Sequence, residues 1–148
     1  MSNMFCFQCQ EAAKGTGCDT FGVCGKSPEV SNLLDELIRE LKEVSFLIME
    51  VKKGNYDLKC PNKHNPNARD FIIDGLFTSI TNANFDDEII KEKIENARKI
   101  KSHVIEELIK KGVDVNAFPI NGNAGVLATE YEDRRAHVWT PVTWPSRM

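Results

Sequence analysis

The sequence predicts an all-α fold, in which an N-terminal cysteine-rich, cluster-binding segment precedes a three-helix bundle. Two observations carry that reading. Four of the chain's five cysteines fall within the first 24 residues, and beyond them three stretches repeat apolar residues at helical spacing. With 148 residues, 41% of them hydrophobic, the chain is about one domain's worth and can build one real core.

Residues 1–26 are the first unit. Cys6, Cys9, Cys18 and Cys24 form a C-x2-C-x8-C-x5-C array threaded with glycines. Four soft thiolates converging from so short a segment suit an iron–sulfur cluster or a structural zinc ion. Cys6 and Cys9 lie on one turn of chain, placed to grip adjacent metal corners. Gly15, Gly17, Gly22 and Gly25 let the backbone wrap closely and aim N–H groups at sulfur, while Lys14 and Lys26 offset negative charge. The spacing matches neither the two separated C-x2-C knuckles usual for zinc nor the bacterial or plant ferredoxin patterns. Residue chemistry alone therefore leaves iron–sulfur first, zinc second and redox thiols third. Phe5, Phe7 and Phe21 either shield a cluster from water or pack onto the first helix. Glu11 and Asp19 read as solvated, since the thiolates already fill four positions.

Residues 27–112 are the bundle. Ser27-Pro28-Glu29 reads as N-cap, first-turn proline and first-turn acid. Val30, Leu33, Leu34, Leu37, Ile38, Leu41, Val44, Ile48 and Val51 then keep a helical period until Lys52-Lys53-Gly54 stops it. Residues 54–65 are a polar loop holding Cys60 and His64, whose C-x3-H spacing reads as a plain loop thiol rather than a metal site. A second helix is expected from Asn65-Pro66, with Phe71, Ile72, Leu76, Phe77 and Ile80 on one face and Gly75 weakening it. The third has Phe85 before the cap Asp86, poised to staple onto Ile90. Its stripe runs through Ile89, Ile90, Ile94, Ala97, Ile100, Val104, Leu108 and Ile109 and ends at Lys110-Lys111-Gly112. His103 among its charged residues reads as solvated. Three amphipathic helices with moderate loops make a small antiparallel bundle.

Residues 113–135 read as a loop and the start of a further helix capped at Thr129. That helix does not arrive. The stretch 136–148 has two prolines, both tryptophans and no helical period. Ala136 to Thr143 resembles one reading frame of a sequencing adapter, with Trp139 at its stop codon. Residues 136–148 are accordingly expected to be a non-native tail, and His137 is given no role.

Composition excludes several classes. A net charge of −3 with interspersed signs argues against a general nucleic-acid or membrane-surface binder. No apolar stretch approaches the roughly 18–20 residues of a membrane span, and the first residues lack a signal-peptide core. An odd number of cysteines without a secretion signal points to a reducing compartment and to metal ligation rather than disulfides.

The stretch MFCFQCQEAAKGTGC, residues 4–18, followed by FGVCGKSPE, residues 21–29, resembles the N-terminus of the hybrid cluster protein family, also called hydroxylamine reductase or prismane protein. Gly125-Val126-Leu127-Ala128-Thr129 with Glu132 and Asp133 is similar to the segment that opens that family's second helical bundle. The two motifs together span most of the chain. The resemblance implies that Cys6, Cys9, Cys18 and Cys24 bind a cubane 4Fe–4S cluster, where members with longer spacers hold 2Fe–2S. It further implies an oxidoreductase in which this cluster relays electrons to a hybrid 4Fe–2O–2S cluster held by His, Glu and Cys residues of later domains. The full-length enzyme would reduce hydroxylamine to ammonia or nitric oxide to nitrous oxide, in cytoplasmic defence against nitrosative stress. Its partners would be an electron-donor redox protein and the remaining domains of the enzyme, with no nucleic acid and no membrane. Those later domains are absent from this sequence, so this chain alone is expected to be inactive. Two other readings stand beside this one: a stand-alone 4Fe–4S electron-transfer module, and a structural zinc-binding helical module.

Overall fold

In a computed structural model of the chain, which describes residues 4–55, 68–81, 85–118 and 120, three helices follow the cysteine segment. They are α1 (Pro28–Lys53), α2 (Ala68–Ile80) and α3 (Asp87–Lys110). The expected start of the second helix at Asn65-Pro66, the Cys60–His64 loop, the Thr129 helix start and the 136–148 tail lie outside the described residues. The chain divides into two compact units, residues 1–116 and 117–148, and all three helices belong to the first.

Local chemistry sets the helix ends. Ser27 caps α1, its Oγ accepting from the Val30 N–H at 3.2 Å, with Pro28 and Glu29 in the first turn. Lys52 and Lys53 occupy the last turn and Gly54 closes it, where cations complement exposed carbonyls. Asp86 caps α3 by accepting from the Glu88 and Ile89 N–H groups at 3.0 and 3.3 Å. At its other end the Gly112 N–H reaches the Ile109 carbonyl and the Val113 N–H the Leu108 carbonyl, at 2.9 and 3.0 Å. That pair of bonds is a Schellman closure. No described helix is long and apolar enough to cross a membrane.

α1 is the element against which both α3 and α2 pack. Leu34, Leu37, Leu41, Val44 and Leu47 of α1 are buried, and α3, which packs on α1, buries a stripe of Ile90, Ile94, Ala97, Ile100, Val104 and Leu108. Burial of that many aliphatic side chains, at roughly 1.5–3 kcal/mol each, is the main force holding the pair together.

An ionic cluster sits inside this interface. Glu40 and Glu43 of α1 are 2% and 1% exposed, and Lys101 of α3, also buried, donates to both, at 2.6 and 2.7 Å. Arg39 and Arg98 add bonds to Glu40 at 3.1 and 3.3 Å, and Arg98 also pairs with Glu36. Burial pushes the Glu40 carboxyl up, but the Lys101 hydrogen bond and charge, with Arg39 and Arg98, bring it below the ordinary carboxylate value.

α2 departs from expectation. Its buried residues are Phe71, Gly75, Thr78 and Ser79, while Ile73, Leu76, Phe77 and Ile80 face solvent. Of the expected apolar face only Phe71 is buried, and Ile72 is half-buried. The reason is close approach: a Cβ at Gly75 would lie 2.7 Å from Leu41 Cδ1. The glycine that costs helix propensity is what brings α2 against α1. Thr78 and Ser79 turn their hydroxyls back onto the Asp74 and Leu76 carbonyls, at 2.9 and 2.7 Å, and so bury without orphaned donors.

Candidate metal centre

The cysteine segment is folded back on itself by one isolated antiparallel bridge. Cys6 and Cys18 exchange both backbone bonds, N–H to O at 2.9 and 2.8 Å, and the Met4 N–H reaches the Asp19 carbonyl at 3.4 Å beside them. Residues paired this way sit about 5.5 Å apart at Cα with side chains on the same face. The bridge thus brings together two thiols that lie twelve positions apart in sequence, a pairing the C-x2-C spacing did not suggest.

Between them the chain makes a tight return. The Ala12 N–H bonds the Cys9 carbonyl at 3.3 Å, a 3-10 turn spans Ala13–Gly15, and Lys14 and Gly15 both hold left-handed φ values, +56° and +67°. This turn points the Ala13 N–H at Cys18 Sγ, 3.4 Å away. Gly17 follows at φ +121°, where the Phe5 ring lies 2.7 Å from any added Cβ. Phe5 therefore packs onto the cysteine loop. Phe21 is exposed.

Cys24 occupies a second turn. The Gly22 N–H bonds the Lys26 carbonyl at 2.8 Å and the Gly25 N–H the Gly22 carbonyl at 2.9 Å. A Cβ on Gly22 would come within 3.1 Å of Cys24 Sγ and 2.9 Å of Lys26 Cβ. Lys26 is enclosed, 1% exposed, and its Nζ lies 4.0 Å from Cys6 Sγ and 3.1 Å from Gln8 Oε1. Of the two lysines expected to offset thiolate charge, Lys26 reaches Cys6 Sγ, whereas Lys14 is solvent-exposed. Gln8 was not anticipated: an amide between two cysteines gives no sequence signal of its partner.

Cys18 is buried, Cys6 half-buried, and Cys9 and Cys24 exposed; none of the four forms a disulfide. Glu11 and Asp19 are exposed, Asp19 accepting from the Thr20 hydroxyl. Among the described residues no group of three or more His, Cys, Asp or Glu side chains is gathered to hold a single metal ion. The donor set nevertheless fits an iron–sulfur cluster: soft thiols from one segment, an N–H on one sulfur, an ammonium beside another, and a glycine where a Cβ would crowd a third.

Fold and site together define a helical bundle fronted by a four-thiol segment. The Prismane/CO dehydrogenase family pattern matches residues 4–139, and the chain belongs to that family. It is 40% identical over 150 residues to a hydroxylamine reductase of Caldanaerobacter subterraneus subsp. tengcongensis, covering 90% of this chain and 26% of that protein. A hydroxylamine reductase of Bacteroides fragilis is 40% identical over 143 residues, 90% of this chain and 25% of its own length. One from Kosmotoga olearia is 45% identical over 103 residues, 70% of this chain and 17% of its own. The chain thus spans about a quarter of the length of the first two.

Proposed function

We propose that this chain is the electron-relay portion of a hydroxylamine reductase-type enzyme, with Cys6, Cys9, Cys18 and Cys24 as ligands of a 4Fe–4S cluster. The observation that carries the reading is the surroundings of the Cys6–Cys18 bridge. One sulfur accepts an N–H and the other faces an enclosed ammonium, the two kinds of donor that lower the cost of a cluster's negative charge.

When bound, such a cluster takes up and gives back a single electron at a time. The chain's residues would hold it: the bridge sets Cys6 against Cys18, the Ala13 N–H faces Cys18 Sγ, Gly22 leaves room beside Cys24 Sγ, and burial of Cys18 would keep water from that sulfur. Exposed Cys9 and Cys24, with exposed Phe21 and Val23 nearby in sequence, form the edge open to an electron-donor redox protein. Reducing hydroxylamine to ammonia and water consumes two electrons and two protons. Joining two molecules of nitric oxide into nitrous oxide and water needs the same. A one-electron relay would serve either by delivering twice to a second centre, the hybrid 4Fe–2O–2S cluster that the family resemblance implies. Thiols outside disulfides suit a reducing cytoplasm.

Anaerobic reconstitution of the 148-residue chain with iron and sulfide tests the reading. It expects about four irons and four acid-labile sulfides per chain, a brown colour bleached by one electron, and no turnover of hydroxylamine by this chain alone. Cys9→Ala and Cys24→Ala should each lose the cluster. A colourless protein holding one zinc, or a cluster indifferent to those substitutions, overturns it.

A further inference from the structure

Two lysines of this fold are enclosed, and they are satisfied in opposite ways. Lys101, 8% exposed, holds two carboxylates at 2.6 and 2.7 Å. Lys26 is 1% exposed, yet among the described residues its partners are a thiol sulfur at 4.0 Å and a neutral amide oxygen at 3.1 Å. An enclosed ammonium without an anion is costly, and neither of these partners is a carboxylate. A cubane on four thiolates supplies that anion, with two net negative charges when oxidised and three when reduced.

We propose that Lys26 is the counter-ion of this site: held against Cys6 Sγ, its ammonium favours the reduced form of the cluster and sets its potential. The inference rests on the cluster reading above and deepens it. The fold aims this side chain deliberately. Lys26 stands between the Gly22–Gly25 turn and the Ser27 cap of α1, its carbonyl holds the Gly22 N–H, and Gly22 has no Cβ to obstruct the Lys26 stem. Gln8 takes a second ammonium hydrogen and fixes the head group. Each electron that enters adds one negative charge beside this side chain. A fixed positive charge near the sulfurs therefore raises the potential, and its removal lowers it.

The test compares Lys26→Gln, Lys26→Met and Lys26→Arg in the reconstituted chain, by redox titration monitored in the visible and by electron paramagnetic resonance. Helix content is checked by circular dichroism. Gln and Met should make the potential more negative, with at least a tenfold fall in the reduced-to-oxidised ratio at fixed donor potential, about 59 mV for one electron. Arg should retain most of the parent value. If Gln and Met fail to hold a cluster while Arg holds one, the charge requirement stands. A loaded Gln variant with the parent potential overturns the proposal, and so does loss of the cluster in all three, which would mean that shape rather than charge is required. If the parent chain itself takes up no iron and sulfide, the cluster reading fails and the assignment of Lys26 falls with it, an outcome distinct from a loaded Gln variant with the parent potential.

Discussion

Gly17 stands immediately before the buried Cys18 at φ +121°, and the Phe5 ring covers the space a side chain would occupy. Two costs are thus combined at one position, and they can be separated. The ring is partly exposed and can yield, whereas the backbone strain of a non-glycine residue there, of order 1–3 kcal/mol, cannot. Gly17→Ala should open the Cys6–Cys18 bridge, speeding hydrogen exchange of its two amides by about fivefold or more. Adding Phe5→Ala should not restore protection; full restoration would show that the ring, not the backbone, imposes the glycine. At this scale the sequence is a good guide to which residues matter and a poor one to what they touch. The four cysteines and their glycines announce themselves by type and spacing. The Cys6–Cys18 pairing does not, because a bridge is fixed by backbone bonds that leave no trace in residue identity.

The helices repeat that division. α1 and α3 were legible because capping residues and apolar period agree at both ends, from Ser27-Pro28 to Gly54 and from Asp86 to Gly112. The buried face of α2 was not, because close approach at Gly75 selects small residues for the interface. Gly75→Ala weighs the two effects directly: alanine gains about 1 kcal/mol in helix propensity, and overpacking against Leu41 costs about 1–3. The net expectation is a loss of about 1 kcal/mol in denaturant unfolding, and a gain would show that α2 can shift without cost. The buried ions were invisible for a different reason: glutamates beside an apolar stripe read as solvent-facing until their cation is known. Lys101→Met leaves Glu40 and Glu43 facing each other out of water and should cost about 3–5 kcal/mol, much of it recovered when both glutamates are also made apolar. The pH dependence has a definite sign. Glu40 is held below its ordinary value of 4.5, so its stabilisation is complete above that pH and is lost as pH falls through the lower, folded-state value. The stability difference between the parent and Glu40→Gln should therefore narrow on acidification below about pH 4.5; a constant gap would mean the charge on Glu40 contributes nothing.

On the scale of the whole molecule, the outward stripe of α2 becomes the governing fact. Ile73, Leu76, Phe77 and Ile80 follow the i, i+3, i+4, i+7 spacing of a buried helix face, yet Phe77 is 62% and Ile80 70% exposed. Single exposed apolar residues need no explanation; a continuous stripe of four at that spacing does. The chain spans about a quarter of the length of its relatives, so a face of this kind is the surface most prone to bury itself against another copy when the chain is studied alone. Sedimentation should then show association that grows with concentration, up to on the order of 100 µM. Phe77→Lys with Ile80→Lys should abolish it while leaving helix content intact, since exposed positions cost at most about 0.5 kcal/mol. A monodisperse parent monomer across that range would mean the stripe is tolerated in water and needs no cover. Association that persists in the double variant would move the contact elsewhere, to Met49 of α1 or to Ile89 or Ile109 of α3, which are also exposed.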